Sequence, residues 1–203
     1  MDDEEEPLDP LLVAGDELLE RWRIDEARAT YERAARAQRS ADVLDRLAFC
    51  AELRGEQGAA RRLYAEARAL EPEAFPRVPR LSEAEFEREV RAAIERLPAA
   101  ILPALDETEV VVAPLPTRAL VIPGREEETP PDLLGLFVGA SRLERAEGDR
   151  LEPTPIVYLF QRNIERACAD VDELREEIVV TLYHELGHLL GFDEDGVADL
   201  GLE

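Results

Sequence analysis

Two histidines stand four positions apart with a glutamate between them, in the segment His184-Glu185-Leu186-Gly187-His188, and they are the only histidines in the chain. On an α-helix, residues four apart lie one turn above each other on the same face, so both imidazoles can reach one ion about 2.0–2.1 Å from each nitrogen. Glu185 lies about 100° further around such a helix, which makes its carboxylate a candidate base for a metal-bound water. The spacing predicts a zinc site with an open coordination position, because no third histidine or nearby cysteine could close a structural one.

A third protein ligand has to come from elsewhere in the chain. Fifteen residues follow His188, too few for a separate downstream helix that returns to the ion, so we expect the ligand close to the motif. Gly191 lets the chain leave the helix through positive φ and turn back. Acidic residues follow at once, at Asp193, Glu194 and Asp195, with Asp199 beyond them. One of these carboxylates, or water alone, would complete the site.

The motif requires a helix, and the sequence carries the signals for one. Asp170 with Glu173 forms a candidate N-terminal cap, and Gly191 is a stop signal. Between them, apolar residues recur at helical spacing, at Leu174, Ile178, Leu182 and Leu189. The pattern predicts a helix that runs to about Leu190 and buries its apolar side.

Upstream of this helix the pattern changes to short apolar runs, which predict three strands. The runs cover residues 109–113, 133–138 and 156–160. Ser82 with Glu85 forms a capping box that starts another helix, which ends before Pro98. Residues 80–203 are therefore predicted to form one domain that contains both helices and strands.

The first third of the chain repeats itself with a period of 33 residues. Ala27, Tyr31 and Ala34 recur as Ala60, Tyr64 and Ala67, and Leu11 recurs as Leu44. The pattern resembles the tetratricopeptide repeat, in which small residues lie where two helices cross and an aromatic ring fills the gap beside them. Gly15 and Pro72 match that pattern, whereas Ala48 and Arg39 depart from it. We expect an all-α domain of paired helices over residues 8–72, followed by an extended, proline-rich linker.

The extended motif, HELGHLLG, resembles the metzincin pattern, in which HExxHxxGxx is followed by His or Asp. Glu194 occupies the third-ligand place, ten residues after His184, and Asp193 is the next candidate. The ligand would thus be Glu, and the Met-turn is absent because Met1 is the only methionine. Residues 82–203 are more similar to a small bacterial family of cytoplasmic zincin-like metallopeptidases, through the segments 134–139, 156–166 and 180–185. The resemblance implies an α+β zincin fold, with a mixed sheet on the motif helix, and metal-dependent peptidase chemistry.

Composition limits the partners and the compartment. The chain has 203 residues, with 24 Lys plus Arg against 47 Asp plus Glu and a formal net charge of -23 at pH 7, which argues against nucleic acid and anionic membranes as partners. The N-terminus is acidic where a signal peptide is basic, and no apolar run approaches the ~20 residues of a membrane span. Cys50 and Cys168 form no CxxC pair. We expect a cytoplasmic protein.

The sequence thus predicts a zinc-dependent peptidase that hydrolyses peptide bonds through a metal-bound water. Zn²⁺ is held by His184, His188 and Glu194. Glu185 is the catalytic base, and the helical repeats recruit a peptide or protein substrate or another protein partner. The alternative is an interaction protein that binds metal and has little or no catalytic activity. A third hypothesis is that the same polarised water hydrolyses a non-peptide amide. Three side chains are candidates to steady the oxyanion: Tyr158, Arg162 and Tyr183.

Overall fold

The computed structural model describes residues 10–98, 102–106, 108–121, 129–140 and 154–191. Over these ranges the chain is α+β, which confirms the predicted fold class. Contacts group it into two compact units, one of Met1–Arg77 with Thr117–Pro131 and the other of Val78–Pro116 with Asp132–Glu203. The sequence predicts that residues 8–72 and residues 80–203 fold as separate domains, and this stays a prediction. No helix in the described ranges combines the length and apolar character that crossing a membrane requires.

The first unit contains four consecutive α-helices in its described part, each of which packs against the next. They are α1 (Pro10–Glu20), α2 (Ile24–Ala37), α3 (Ala41–Leu53) and α4 (Gln57–Leu70). The small residues of the 33-residue repeat are all buried: Ala27, Ala34, Ala60 and Ala67. Small side chains let neighbouring helices approach closely, and this is the helical N-terminal region that the sequence predicted.

Tyr31 of α2 lies against Gly15 of α1. The Tyr31 side chain is completely buried, and a Cβ atom added to Gly15 would lie 2.2 Å from Tyr31 Cε1. The Tyr31 hydroxyl donates to Asp16 Oδ1 at 2.6 Å. In the second hairpin the residue equivalent to Gly15 is Ala48, and Tyr64 is only partly buried. Gly15 therefore makes room for the Tyr31 ring, which is more deeply buried than that of Tyr64.

The second unit joins a three-stranded mixed sheet to a set of helices. In chain order these are α5 (Glu83–Arg96), α6 (Leu102–Leu105), β1 (Glu109–Ala113), β2 (Gly135–Val138), β3 (Ile156–Phe160), α7 (Gln161–Ala167) and α8 (Val171–Leu190). The strand order is β1-β3-β2; β3 pairs parallel with β1 and antiparallel with β2. The predicted limits of β1 and β3 are confirmed. β2 starts two residues later than predicted. The Leu133 carbonyl accepts from the Asn163 side chain, whereas the Leu134 carbonyl still accepts from Phe160 N of β3.

The core of the second unit lies between α8, α5 and the sheet. Helix α8 contributes a row of completely buried side chains: Leu174, Ile178, Leu182, Leu186 and Leu189. Val157 and Leu159 of β3 and Phe86 and Val90 of α5 pack in the same cluster. The capping box at Ser82 that was predicted to start α5 is present. Burying this row sets the rotation of α8 about its own axis.

Helix α7 was not predicted from the sequence, because its buried side is partly polar. Glu165 is completely buried, and its carboxylate accepts from Arg80 Nη1 at 3.0 Å, Leu81 N at 2.9 Å, Gln161 Nε2 at 2.9 Å and Arg162 Nη1 at 2.7 Å. Buried charges persist where such donors surround them. Glu165 therefore ties the segment before α5 to α7.

We expect Gly15→Ala to lower the free energy of unfolding by about 1–3 kcal/mol, because the added methyl group overpacks the Tyr31 ring. The matched control is Gly58→Ala in α4, where the nearest atom to an added Cβ is 3.9 Å away. That change should leave stability unaltered or raise it by up to about 1 kcal/mol. Urea unfolding of both variants measures the difference, and equal losses would contradict the crowding at Gly15.

We expect Glu165→Ala to lower the free energy of unfolding by about 2–3 kcal/mol, because the partly buried Leu81 amide loses its acceptor. Glu176→Ala is the control: it removes a carboxylate from an exposed pair with Arg96, and such pairs contribute little. Urea unfolding compares the two variants. A loss at Glu165 no larger than that at Glu176 would contradict a tying role for the buried carboxylate.

Candidate metal centre

Helix α8 carries the motif, and both of its ends are capped as the sequence predicted. Asp170 Oδ1 accepts from the backbone N–H groups of Asp172 and Glu173, each at 2.9 Å. The helix ends at Leu190, and Gly191 adopts the left-handed conformation with φ 97°. This region of backbone space favours glycine, so the chain can leave the helix sharply at this point.

The two histidine rings of α8 face each other. His184 Nε2 and His188 Nε2 are 3.1 Å apart, and the ring planes meet at 80°. Two nitrogens that bind one tetrahedral zinc ion at 2.0–2.1 Å stand about 3.4 Å apart. The spacing of the nitrogens and the chemistry of the imidazole donors both fit zinc. Both rings are partly buried, which holds their direction while leaving them access to solvent.

Glu185 lies between the histidines in sequence and against strand β2 in space. Its side chain is 8% exposed. A Cβ atom added to Gly135, the first residue of β2, would lie 2.8 Å from Glu185 Cγ, 2.8 Å from Glu185 Oε1 and 2.8 Å from Thr181 Cγ2. The strand backbone therefore approaches this carboxylate more closely than any residue with a side chain would allow. Neither Gly135 nor Thr181 was predicted as a site residue, although glycine inside a strand often marks such an approach.

The predicted third ligand, Glu194, lies outside the described residues, as do Asp193, Asp195 and Asp199. Within the described part of the chain, no three His, Cys, Asp or Glu side chains cluster so that they could hold a metal ion. The described donor set is thus the histidine pair, and the identity of the third ligand stays a prediction.

The three oxyanion candidates have other contacts. Tyr183 packs against the hydrophobic core, and the Tyr158 ring stacks with Phe160 at a centroid distance of 6.1 Å. Arg162 donates to the buried Glu165 carboxylate. These contacts give each candidate a structural role in the second unit.

Neither cysteine suits metal binding or nucleophilic chemistry. Neither Cys50 nor Cys168 forms a disulfide, and both residues are buried. Burial, and after it the nearby carboxylates of Glu177, Glu173 and Asp170, together raise the pKa of the Cys168 thiol to about 12. A protonated thiol is a poor ligand and nucleophile at neutral pH, and Cys168 packs in the hydrophobic core of the second unit.

One comparison with known proteins covers the segment that contains helix α8. Residues 105–202 match a family model described as Zincin-like metallopeptidase. The matched segment contains all three strands, α7 and α8, and with them the histidine pair and Glu185. No curated protein matches the chain. The match supports a zincin-like metallopeptidase domain over this segment, a type of domain that generally depends on zinc. The tetratricopeptide resemblance of the first unit stays a prediction.

We expect elemental analysis to find about one zinc ion per chain, because the described residues offer one histidine pair. His184→Ala and His188→Ala should each abolish stoichiometric zinc. Arg175→Ala is a matched control on the same helix, since Arg175 is exposed and pairs with Glu89 and Asp172; it should retain the metal. Stoichiometric zinc in the double histidine variant would place the metal elsewhere.

Proposed function

We propose that this chain is a zinc-dependent peptidase whose chemistry is carried by α8. The observation that carries the proposal is the convergence of His184 Nε2 and His188 Nε2, 3.1 Å apart, with the buried Glu185 beside them. All three residues lie in the segment that matches the Zincin-like metallopeptidase model. A histidine pair of this spacing with an adjacent glutamate is the donor set that hydrolysis by a zinc-activated water requires.

Each of the three side chains has one task in this proposal. When bound, zinc supplies Lewis-acid activation of water and of the scissile carbonyl. His184 and His188 would hold the ion through their Nε2 atoms. Glu185 accepts the proton of the attacking water at a carboxylate oxygen and delivers it to the leaving amide nitrogen. The same carboxylate thus serves as base and then as acid, and the peptide bond is replaced by a carboxylate and an amine.

The packing around α8 supports such a role for Glu185. Leu186 and Leu189 are completely buried on the core side of the helix, so the helix cannot rotate without exposing them. Glu185 is enclosed by β2, which limits the water that competes for its carboxylate. A low local dielectric strengthens every charge interaction of the carboxylate with a neighbouring ion.

We assign recruitment of substrate or of a protein partner to the first unit. Its four packed helices and the buried small residues at the 33-residue period support a tetratricopeptide-like arrangement. Stacked helical repeats of that kind present extended surfaces for other proteins. The division of labour follows the two compact units, with recognition in one and chemistry in the other.

Glu185→Gln tests whether the chain is an enzyme. The amide keeps the shape of the side chain but cannot act as a base, so turnover of a randomised peptide library should fall at least ~100-fold while zinc stays bound. Cleavage is measured with zinc-loaded full-length protein, and a chelated sample serves as the blank. Undiminished, chelator-sensitive cleavage by Glu185→Gln would contradict the role of Glu185. No cleavage by the parent protein would favour the metal-binding interaction protein.

Glu194→Ala and Asp193→Ala test the third ligand. Glu194 is proposed because it stands ten residues after His184, at the metzincin-like place. Losing a protein ligand weakens zinc affinity, so Glu194→Ala should release zinc to a competing chelator at a much lower chelator concentration than Asp193→Ala does. The reverse order would assign the ligand to Asp193, and no effect of either change would leave a site with two histidines.

A further inference from the structure

The start of strand β2 is held in place by hydrogen bonds on the side of β3 and α7. Phe160 N donates to the Leu134 carbonyl at 2.8 Å, and Asn163 Nδ2 donates to the Leu133 carbonyl at 2.7 Å. Gly135 itself pairs with Leu159 in the antiparallel register. The backbone at Gly135 therefore cannot move away from α8 without breaking bonds that are buried or partly buried.

The α8 side of the contact with Gly135 is also fixed in position. Helix α8 is locked by its buried leucines, and Thr181 presents its methyl group, Cγ2, to Gly135. The Thr181 hydroxyl donates to Glu177 Oε1 at 3.1 Å, and β-branched side chains have few rotamers on a helix. The Glu185 side chain is longer than that of Thr181 and has more rotatable bonds, so we expect it to be the group that shifts.

A methyl group at position 135 would therefore displace Glu185. Its carbon would lie 2.8 Å from both Cγ and Oε1 of Glu185, well inside the ~3.5–4.0 Å of normal carbon contacts. The strand and the helix are held, so the crowding is relieved by a new position of the carboxylate. Displacing a reacting group by about 1 Å can cost ~100-fold in rate.

We propose that Gly135 is a positioning residue for Glu185, because its missing side chain leaves the space next to the Glu185 Cγ and Oε1 atoms, one residue after His184 on α8. The inference rests on the proposed function, in which Glu185 is the base. Strand β2 would then set the position of the Glu185 carboxylate through Gly135, which takes no part in the reaction itself.

Kinetics of the full-length, zinc-loaded protein on fluorescence-quenched peptides of randomised sequence test the proposal. Gly135→Ala should lower kcat about 10- to 100-fold with little change in KM or in zinc affinity, since the histidines are untouched. Gly58→Ala, in the first unit, should leave kcat unaltered. In the Glu185→Gln background, Gly135→Ala should lower the residual kcat less than ~2-fold, because the base through which it acts is gone. A general structural defect would lower both backgrounds equally.

Unfolding of the metal-free protein gives a readout that does not depend on activity. Gly135→Ala should lower the urea midpoint, and Glu185→Ala in the same chain should recover part of that loss because it removes the crowded Cγ and Oε1 atoms. If Gly135→Ala alone does not fold, Gly135→Ala/Glu185→Ala should still fold. No recovery in the pair, or a pair that does not fold, would overturn the inference.

The kinetic outcomes also separate this inference from the proposed function. Full activity of Gly135→Ala together with a strong loss in Glu185→Gln would overturn the role of Gly135 and leave the peptidase intact. Full activity of Glu185→Gln would contradict the assignment of Glu185 as the base, and with it the positioning role of Gly135. A loss in both single variants, without further loss when they are combined, supports the inference.

Discussion

The packing of α8 against β2 and β3 is the contact on which the candidate site depends. Helix α8 supplies both the buried leucines of the core and the two histidines of the candidate site. Leu182, Leu186 and Leu189 are completely buried, and the helical period then leaves His184 and His188 partly buried on a neighbouring face. Rotating α8 to point the imidazoles in another direction would expose the leucines to water. The burial of the leucines therefore fixes the orientation of the two histidines.

Both units use a glycine to seat a larger side chain. Gly15 makes room for the buried Tyr31 ring in the first unit, and Gly135 makes room for the Glu185 carboxylate in the second. Each contact is closer than any Cβ atom would allow. Neither glycine has a positive φ, so in both cases the absent side chain matters and the backbone freedom of glycine does not.

The second unit buries two glutamates, Glu165 and Glu185, in different surroundings. We assign a structural role to Glu165 and a catalytic one to Glu185. Glu165 accepts hydrogen bonds from backbone and side-chain donors, among them Arg80 and Arg162, and ties distant segments together. Glu185 lies in the space that Gly135 leaves on β2, and it follows His184 directly in the sequence. In a chain with a formal net charge of -23, most carboxylates can remain in water, so burying these two needs a specific reason.

Local rules determined much of this protein from its sequence alone: the limits of α8 through Asp170 and Gly191, the capping box at Ser82, strands β1 and β3, and the spacing that brings His184 and His188 together. Each of these depends on residues close in sequence, whose periodicity and capping can be read directly. Tertiary structure alone decided the closeness of Gly135 to Glu185 and the burial of polar α7 through Leu81 and Glu165, which are 84 positions apart. Such contacts join distant segments and leave no local pattern, because the free energy that holds them arises only when the elements pack together.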